Sequence, residues 1–200
     1  MRAVPRFVAS VLILSGILLM ADAGVTLAWQ EPISAFLADR QQAELEEDLK
    51  KPSRRVLQRK PLAGDAIGVI ELPRIDRRYF LVEGTDTESL RKGPGHYPET
   101  PLPGERGTVG IAGHRTTHGA PFRSIDKLRR GDRVVLEMPY GTFVYAVEKQ
   151  RIVDPSETSV KRKVGYNRLI LSACHPLYSA AQRIVVFARF VRKEPARVGS

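Results

Sequence analysis

A single thiol limits the covalent chemistry open to this chain. Cys174 closes the apolar run Leu169-Ile170-Leu171-Ser172-Ala173-Cys174 and is followed at once by the turn residues His175-Pro176. A cysteine inside such a run is ordinarily an inert packing residue, whereas one at the end of a strand is within reach of a ligand. Arg183 opens the next apolar run, nine residues further on. If the two runs pair as an antiparallel hairpin, the thiol and the guanidinium lie opposite each other. A guanidinium in that position favours thiolate and can hydrogen-bond a developing oxyanion.

A cysteine nucleophile also needs a proton partner. The chain offers His96, His114, His118 and His175. His114 ends the strand-like run from Gly107, so it is expected at a strand end, and Gly113 before it removes bulk where a ligand would approach. His96 and His118 fall in turn-rich stretches and are expected to be solvated. His175 adjoins Cys174, but neighbours on an extended chain point to opposite sides. His114 is therefore the expected partner. Ordinary values of about 8.5 for a cysteine and about 6.5 for a histidine make the neutral pair the main form at pH 7.

Other chemistries fit less well. His114 and His118 have H-x-x-x-H spacing, and Cys174 and His175 could add ligands, which admits an exported metallohydrolase as an alternative. The intervening Arg-Thr-Thr lacks a zincin glutamate, however, and does not read as helix. The sequence has no acidic calcium loop, no phosphate-cradling glycine loop and no G-x-S-x-G elbow, so neither a metal nor a cofactor is expected.

The elements that must position these residues follow from the rest of the chain. Its 200 residues hold 32 Lys+Arg against 22 Asp+Glu, a net charge of +10, with 42% hydrophobic residues, 16 Gly, 14 Pro and one Cys. This suits one globular domain plus a targeting segment, and it excludes a disulfide framework. The basic residues are not interleaved with aromatics, so no nucleic-acid partner is expected. Phe7 to Met20 is free of charge, and the apolar stretch continues to Trp29 with only Asp22 interrupting it. At 1.5 Å per residue it makes about 34 Å of helix, enough to span a bilayer. Arg2 and Arg6 precede it, while Glu31 and Asp39 follow. The positive-inside rule then puts the N-terminus in the cytoplasm and the remainder outside, with Trp29 at the interface. A cleaved signal peptide, with Ala21-Asp22-Ala23 at the cleavage site, is the rival reading.

Ser34 to Lys51 reads as a helix with a thin stripe of Ala35, Ala38, Leu45 and Leu49, hence a solvated stalk. The basic stretch Lys50 to Lys60 reads as a flexible linker, with contact to anionic lipid or cell-wall polymer as the alternative. After Pro61 the pattern becomes short β-like runs: Ala66–Leu72, Tyr79–Glu83, Gly107–His114, Arg133–Met138, Thr142–Val153, Arg168–Cys174 and Arg183–Val191. A hairpin turn is expected at Pro139-Tyr140-Gly141. Helix is scarce, with one turn near Glu88–Lys92 and another over Pro121–Leu128. Seven or more strands with so little helix predict a mainly β fold, a closed barrel or a sandwich.

Three stretches carry a family resemblance. They are Gly93-Pro-Gly-His-Tyr-Pro-Glu-Thr-Pro-Leu-Pro-Gly-Glu105, then Gly110-Ile-Ala-Gly-His-Arg-Thr-Thr117 with Gly119-Ala-Pro-Phe122, and Leu171-Ser-Ala-Cys-His-Pro176 with Arg183 nine residues past the cysteine. Taken in order over Ala66 to Arg192, they resemble the sortases, and most of all the class E sortases of Gram-positive actinobacteria. The resemblance implies an eight-stranded closed β-barrel behind a transmembrane helix, with catalytic Cys174, His114 and Arg183. It implies cleavage of a C-terminal LPxTG or LAxTG-type sorting signal after its threonine, through a thioester on Cys174. The protein so cut would pass to a peptidoglycan precursor amine. Its partners would then be exported proteins bearing that signal, the cell-wall precursor, and membrane lipid through residues 7–29. The layout so implied is an anchor at 1–29, a helical stalk and basic linker at 30–61, the catalytic domain at 62–192 and a tail at 193–200. Where the family pattern reads Thr-Leu-x-Thr-Cys, this chain has Ile170-Leu171-Ser172-Ala173-Cys174. Loss of the hydroxyl before the cysteine leaves open a catalytically silent, membrane-tethered binding module. Pilin polymerisation, with a lysine amine as acceptor, is a further alternative.

Overall fold

Alternation of side chains along eight strands decides the architecture. The computed structural model describes residues 3–28 and 32–197. The strands are β1 (Ala66–Leu72), β2 (Arg77–Glu83), β3 (Gly95–His96), β4 (Thr108–Ala112), β5 (Arg133–Met138), β6 (Gly141–Val153), β7 (Arg168–His175) and β8 (Gln182–Glu194). They close into a barrel in the order β1-β2-β3-β4-β7-β8-β6-β5. On β7, Leu169, Leu171 and Ala173 point into the central core with Ile184, Val186 and Ala188 of β8. Ile170 points outward with Val185 and Phe187, and Val160 from the β6–β7 connection packs over them. The period of two thus gives this strand pair a packed inner face and a separate outer one.

Pro139 and Tyr140 form the tight β5–β6 turn, where Met138 pairs with Gly141. The barrel is narrowest in pairing at β3, which joins β2 through two register pairs and β4 through two. Pro121–Leu128 forms turns and a 3-10 segment at Ile125–Lys127 rather than a longer helix. Its Phe122, Ile125 and Leu128 are all buried in the core, so spacing by three marks a packed turn here.

The region before the barrel departs most from expectation. α2 (Pro32–Lys50) is the expected helix, but it is not a solvated stalk. Ala38, Leu45 and Leu49 are buried, the two leucines against Ala66, Val69 and Phe80. Gln42 supplies what the thin stripe lacks. Its Nε2 donates to the Phe80 and Lys92 carbonyls (3.1 and 2.8 Å), and its Oε1 accepts from the Phe80 N–H (2.7 Å). The basic stretch is ordered as well. Ser53 caps the short α3 (Arg54–Leu57), Val56 is buried, and the Arg59 guanidinium lies 4.3 Å above the Tyr140 ring. α4 (Thr87–Lys92) is capped by Asp86, which accepts from the N–H groups of Glu88 and Ser89.

α1 (Ala3–Ala28) is one unbroken helix through Ala21-Asp22-Ala23. Its segment Arg6–Val25 has a mean hydropathy of 2.1, and none of it is covered by protein. Length and composition suit a membrane span. The flanking residues Arg2, Trp29 and Glu31 lie outside the described residues.

Candidate active site

Cys174 and Arg183 are direct register partners on β7 and β8. Directly opposed residues of an antiparallel pair project to the same face, and here that face is the outer wall of the barrel. β4 runs parallel to β7 on its other side, with Ala112 paired to Ser172. One further bond, from the Gly113 N–H to the Ser172 carbonyl (3.0 Å), carries the ladder to the residue before His114. The strand ends therefore deliver all three side chains to one cleft of about 210 Å³, lined by Cys174, His114, Arg183, Ser172, Tyr97 and Leu90 among others. Arg183, Ser172 and Tyr97 also line an adjoining recess beneath the β6–β7 connection. The two spaces form one groove along the wall.

Each group is held locally. The Arg183 Nη1 donates to the carbonyls of Ala180 and Gln182 (both 2.9 Å), which turns the guanidinium back onto its own loop. The Tyr97 hydroxyl is 2.9 Å from the Ser172 hydroxyl on the groove floor. Ala173 packs in the barrel core. The hydroxyl offered to the groove at this point is thus that of Ser172, and the alanine before Cys174 removes none from it.

His114 is packed differently from expectation. A Cβ on Gly113 would sit 2.6 Å from the Phe122 ring, so this glycine admits a buried aromatic as much as it clears the cleft. The Phe122 N–H donates to the His114 carbonyl (2.9 Å). The His114 ring stacks on that of His118, with centroids 4.9 Å apart and an interplanar angle of 30°. Burial pushes the His114 imidazole below its ordinary range, and the neighbouring His118 adds to that shift.

Two histidines expected in solvent are packed instead, His118 partly and His96 fully. His118 is stacked as described. His96 is 2% exposed; its Nδ1 is 2.9 Å from a Glu83 carboxylate oxygen, and its Nε2 faces the Pro101 carbonyl and the Thr100 hydroxyl. Their partners are set by strand pairing, for Glu83 and His96, and by loop conformation, for His118 and His114, neither of which local polarity reveals.

Arg115 is the buried neighbour of these residues that sequence reasoning passed over. It is 4% exposed. Its guanidinium donates to the Arg123 carbonyl (3.1 and 3.3 Å) and to Asp126 (2.7 Å), and Nη1 lies 3.3 Å from His175 Nδ1. The residue after His114 is thereby tied to the residue after Cys174. The signal available was an arginine immediately following the candidate base.

This arrangement has counterparts. Residues 70–191 match the family model for the sortase domain. The chain is 37% identical over 136 residues to Sortase D of Bacillus subtilis, covering 66% of this chain and 67% of the relative. It is 29% identical over 210 residues to Sortase SrtE1 of Streptomyces coelicolor, covering 97% of this chain and 59% of that one. Among solved structures, sortase E1 of Streptomyces coelicolor with a tripeptide in the active site superposes with a TM-score of 0.62 at 32% identity, covering 65% of this chain and 90% of that one. A Sortase D5 transpeptidase of Clostridium perfringens gives 0.67 at 25% identity, over 78% and 99%. The chain belongs to the sortase family. Its kinship is with the class E and class D members, and the family's activity is cysteine transpeptidation.

Proposed function

We propose that Cys174 is the nucleophile, Arg183 the oxyanion partner and His114 the acid–base group of a transpeptidase acting on C-terminal sorting signals of the LPxTG or LAxTG type. The observation that carries this reading is the register pairing of Cys174 with Arg183 on a wall shared with His114. Cys174 gives its proton to the neutral His114 ring as sulfur attacks the threonine carbonyl. The Arg183 guanidinium hydrogen-bonds the oxygen on which charge develops. Collapse of the tetrahedral species breaks the C–N bond, and His114 protonates the departing glycine amine. An acceptor amine then attacks the thioester, His114 takes up its proton, and the thiolate is released. An imidazole held below its ordinary range is a strong acid once protonated, which suits protonation of a poor leaving group.

The acceptor is read as a peptidoglycan precursor amine, by kinship. α1 is read as an uncleaved single-pass anchor with the N-terminus cytoplasmic and the barrel on the extracellular side. The +10 chain is not read as a nucleic-acid binder.

The test uses the full chain in detergent micelles, because α2 is part of the packed structure. A quenched sorting-signal peptide should be cleaved, and mass spectrometry should find the acyl fragment on Cys174. Cleavage should cease in Cys174→Ala and survive a chelator. Activity that persists in Cys174→Ala, or that is lost on chelation, would overturn this reading.

A further inference from the structure

The chain reaches the barrel at its catalytic end. Ser34, in the first turn of α2, accepts a hydrogen bond at Oγ from the His118 backbone N–H (3.4 Å), and His118 is stacked on His114. From there α2 runs on to Lys50, about 25 Å along the barrel. It ends with Leu49 against Ala66 and Val69, beside the basic α3 stretch. α1 ends at Ala28, six residues before Ser34. Six residues reach at most about 21 Å. The C-terminal end of α1 therefore lies within that distance of Ser34, the residue that meets the His118 backbone. α3 lies at the other end of α2.

The rim on that side is apolar. Phe36 is 62% exposed and Leu37 51%; across the His114–Arg123 loop, Leu177 and Tyr178 follow Cys174 with Tyr178 55% exposed. The loop joins the two pairs. Its His118 meets α2, and its Arg123 donates to the Tyr178 hydroxyl (3.1 Å). A phenol tip held by a guanidinium above an apolar body is how side chains sit at a lipid headgroup boundary. The nearby charges on α2 and α4 are mixed, Arg40 and Arg91 against Glu44 and Glu88. The rim thus offers exposed apolar side chains and no net charge of one sign.

We propose that this rim rests on the surface of the bilayer that α1 crosses, with Phe36, Leu37, Leu177 and Tyr178 against lipid, so that the catalytic groove opens at headgroup level. The proposal rests on α1 being an uncleaved anchor.

The full chain, reconstituted in phosphatidylcholine–phosphatidylglycerol vesicles, tests it. Trp29 is the only tryptophan, so a Trp29→Phe background can carry Leu37→Trp, Tyr178→Trp or Leu57→Trp singly. Phospholipids brominated near the glycerol should quench the first two by at least about twofold and leave the third, on α3, unquenched. A chain that floats with the vesicles but shows equal quenching at all three sites, or none, overturns the proposal while the anchor stands. A chain that does not float overturns both. Leu37→Asp is an independent check that needs no new aromatic. Turnover of a vesicle-anchored signal peptide should fall several-fold while turnover of the same peptide in solution is unchanged. Equal effects on the two substrates also overturn the proposal.

Discussion

The inner and outer faces of the β7–β8 pair are built from alternate residues of the same two strands. Inside, Leu169, Leu171 and Ala173 meet Ile184, Val186 and Ala188 in the central core. Outside, Ser172 and Cys174 share a wall with Arg183 and Val185. Stability and chemistry are thus one residue out of phase. A slip of one residue would bury the thiol and the guanidinium and expose the leucines. Register is the property on which both faces depend, and the tight packing of the inner face is what holds the outer one in place.

Four measurements can break or sharpen this contrast. On the outer face, Cys174→Ala should cut transpeptidation by about 10⁴-fold or more with the melting temperature unchanged. A fall in stability would mean that the thiol packs rather than reacts. On the inner face, Leu171→Ala should cost about 2–5 kcal/mol of unfolding free energy, read from denaturant titration, with kcat/KM of the surviving folded enzyme little altered. A comparable loss of kcat at full stability would show that the two faces are not separable.

Arg115→Ala tests the brace between the segments that carry His114 and Cys174. It should lower kcat by about 10²-fold with little change in KM, as expected for a displacement of the sulfur relative to the imidazole. Arg115→Lys should restore little, since an ammonium cannot serve Arg123, Asp126 and His175 from one plane. The smallest effect concerns pH. Because the His114 imidazole is held below its ordinary range, it stays neutral to lower pH than a free histidine. The acidic limb of kcat/KM should therefore lie below about pH 6.5. His118→Gln removes the neighbouring charge and should move that limb upward. The same sign applies to stability. The unfolded histidine gains a proton near its ordinary value while the native one does not, so His114 destabilises the fold progressively as pH drops below about 6.5.

Much of the barrel was legible because period and punctuation agree. Ala66–Leu72 and Arg133–Met138 have the same bounds in the sequence reading and in the structure. The Cys174–Arg183 pairing followed from loop length between two apolar runs. β3 escaped notice since two residues cannot display alternation. α2 reads as solvated because its four spaced apolar residues, two of them alanines, make a weak stripe. What docks it is the Gln42 amide, which no hydrophobicity pattern reveals. The burial of His96 depends on Glu83 of a different strand, and the stacking of His118 on a loop conformation; neither has a signal in local sequence. The wall that carries Cys174, His114 and Arg183 is foreseen in the sequence only as a set of strand ends. Its place on the outside follows from the parity of Cys174 against Leu171 along β7.

The Gln42 side chain has a consequence for how the domain can be cut. At Phe80 it offers an acceptor to one N–H and a donor to the matching carbonyl, as a neighbouring peptide group would. It does so beside the point where β2 and β3 share only two pairs. The amide therefore plugs a seam in the cylinder that the strands do not close by themselves. A soluble fragment starting after α2 would bare that seam and the apolar patch of Ala66, Val69 and Phe80 together. Such a fragment should recruit an extended segment from a second copy and self-associate, as unprotected strand edges do.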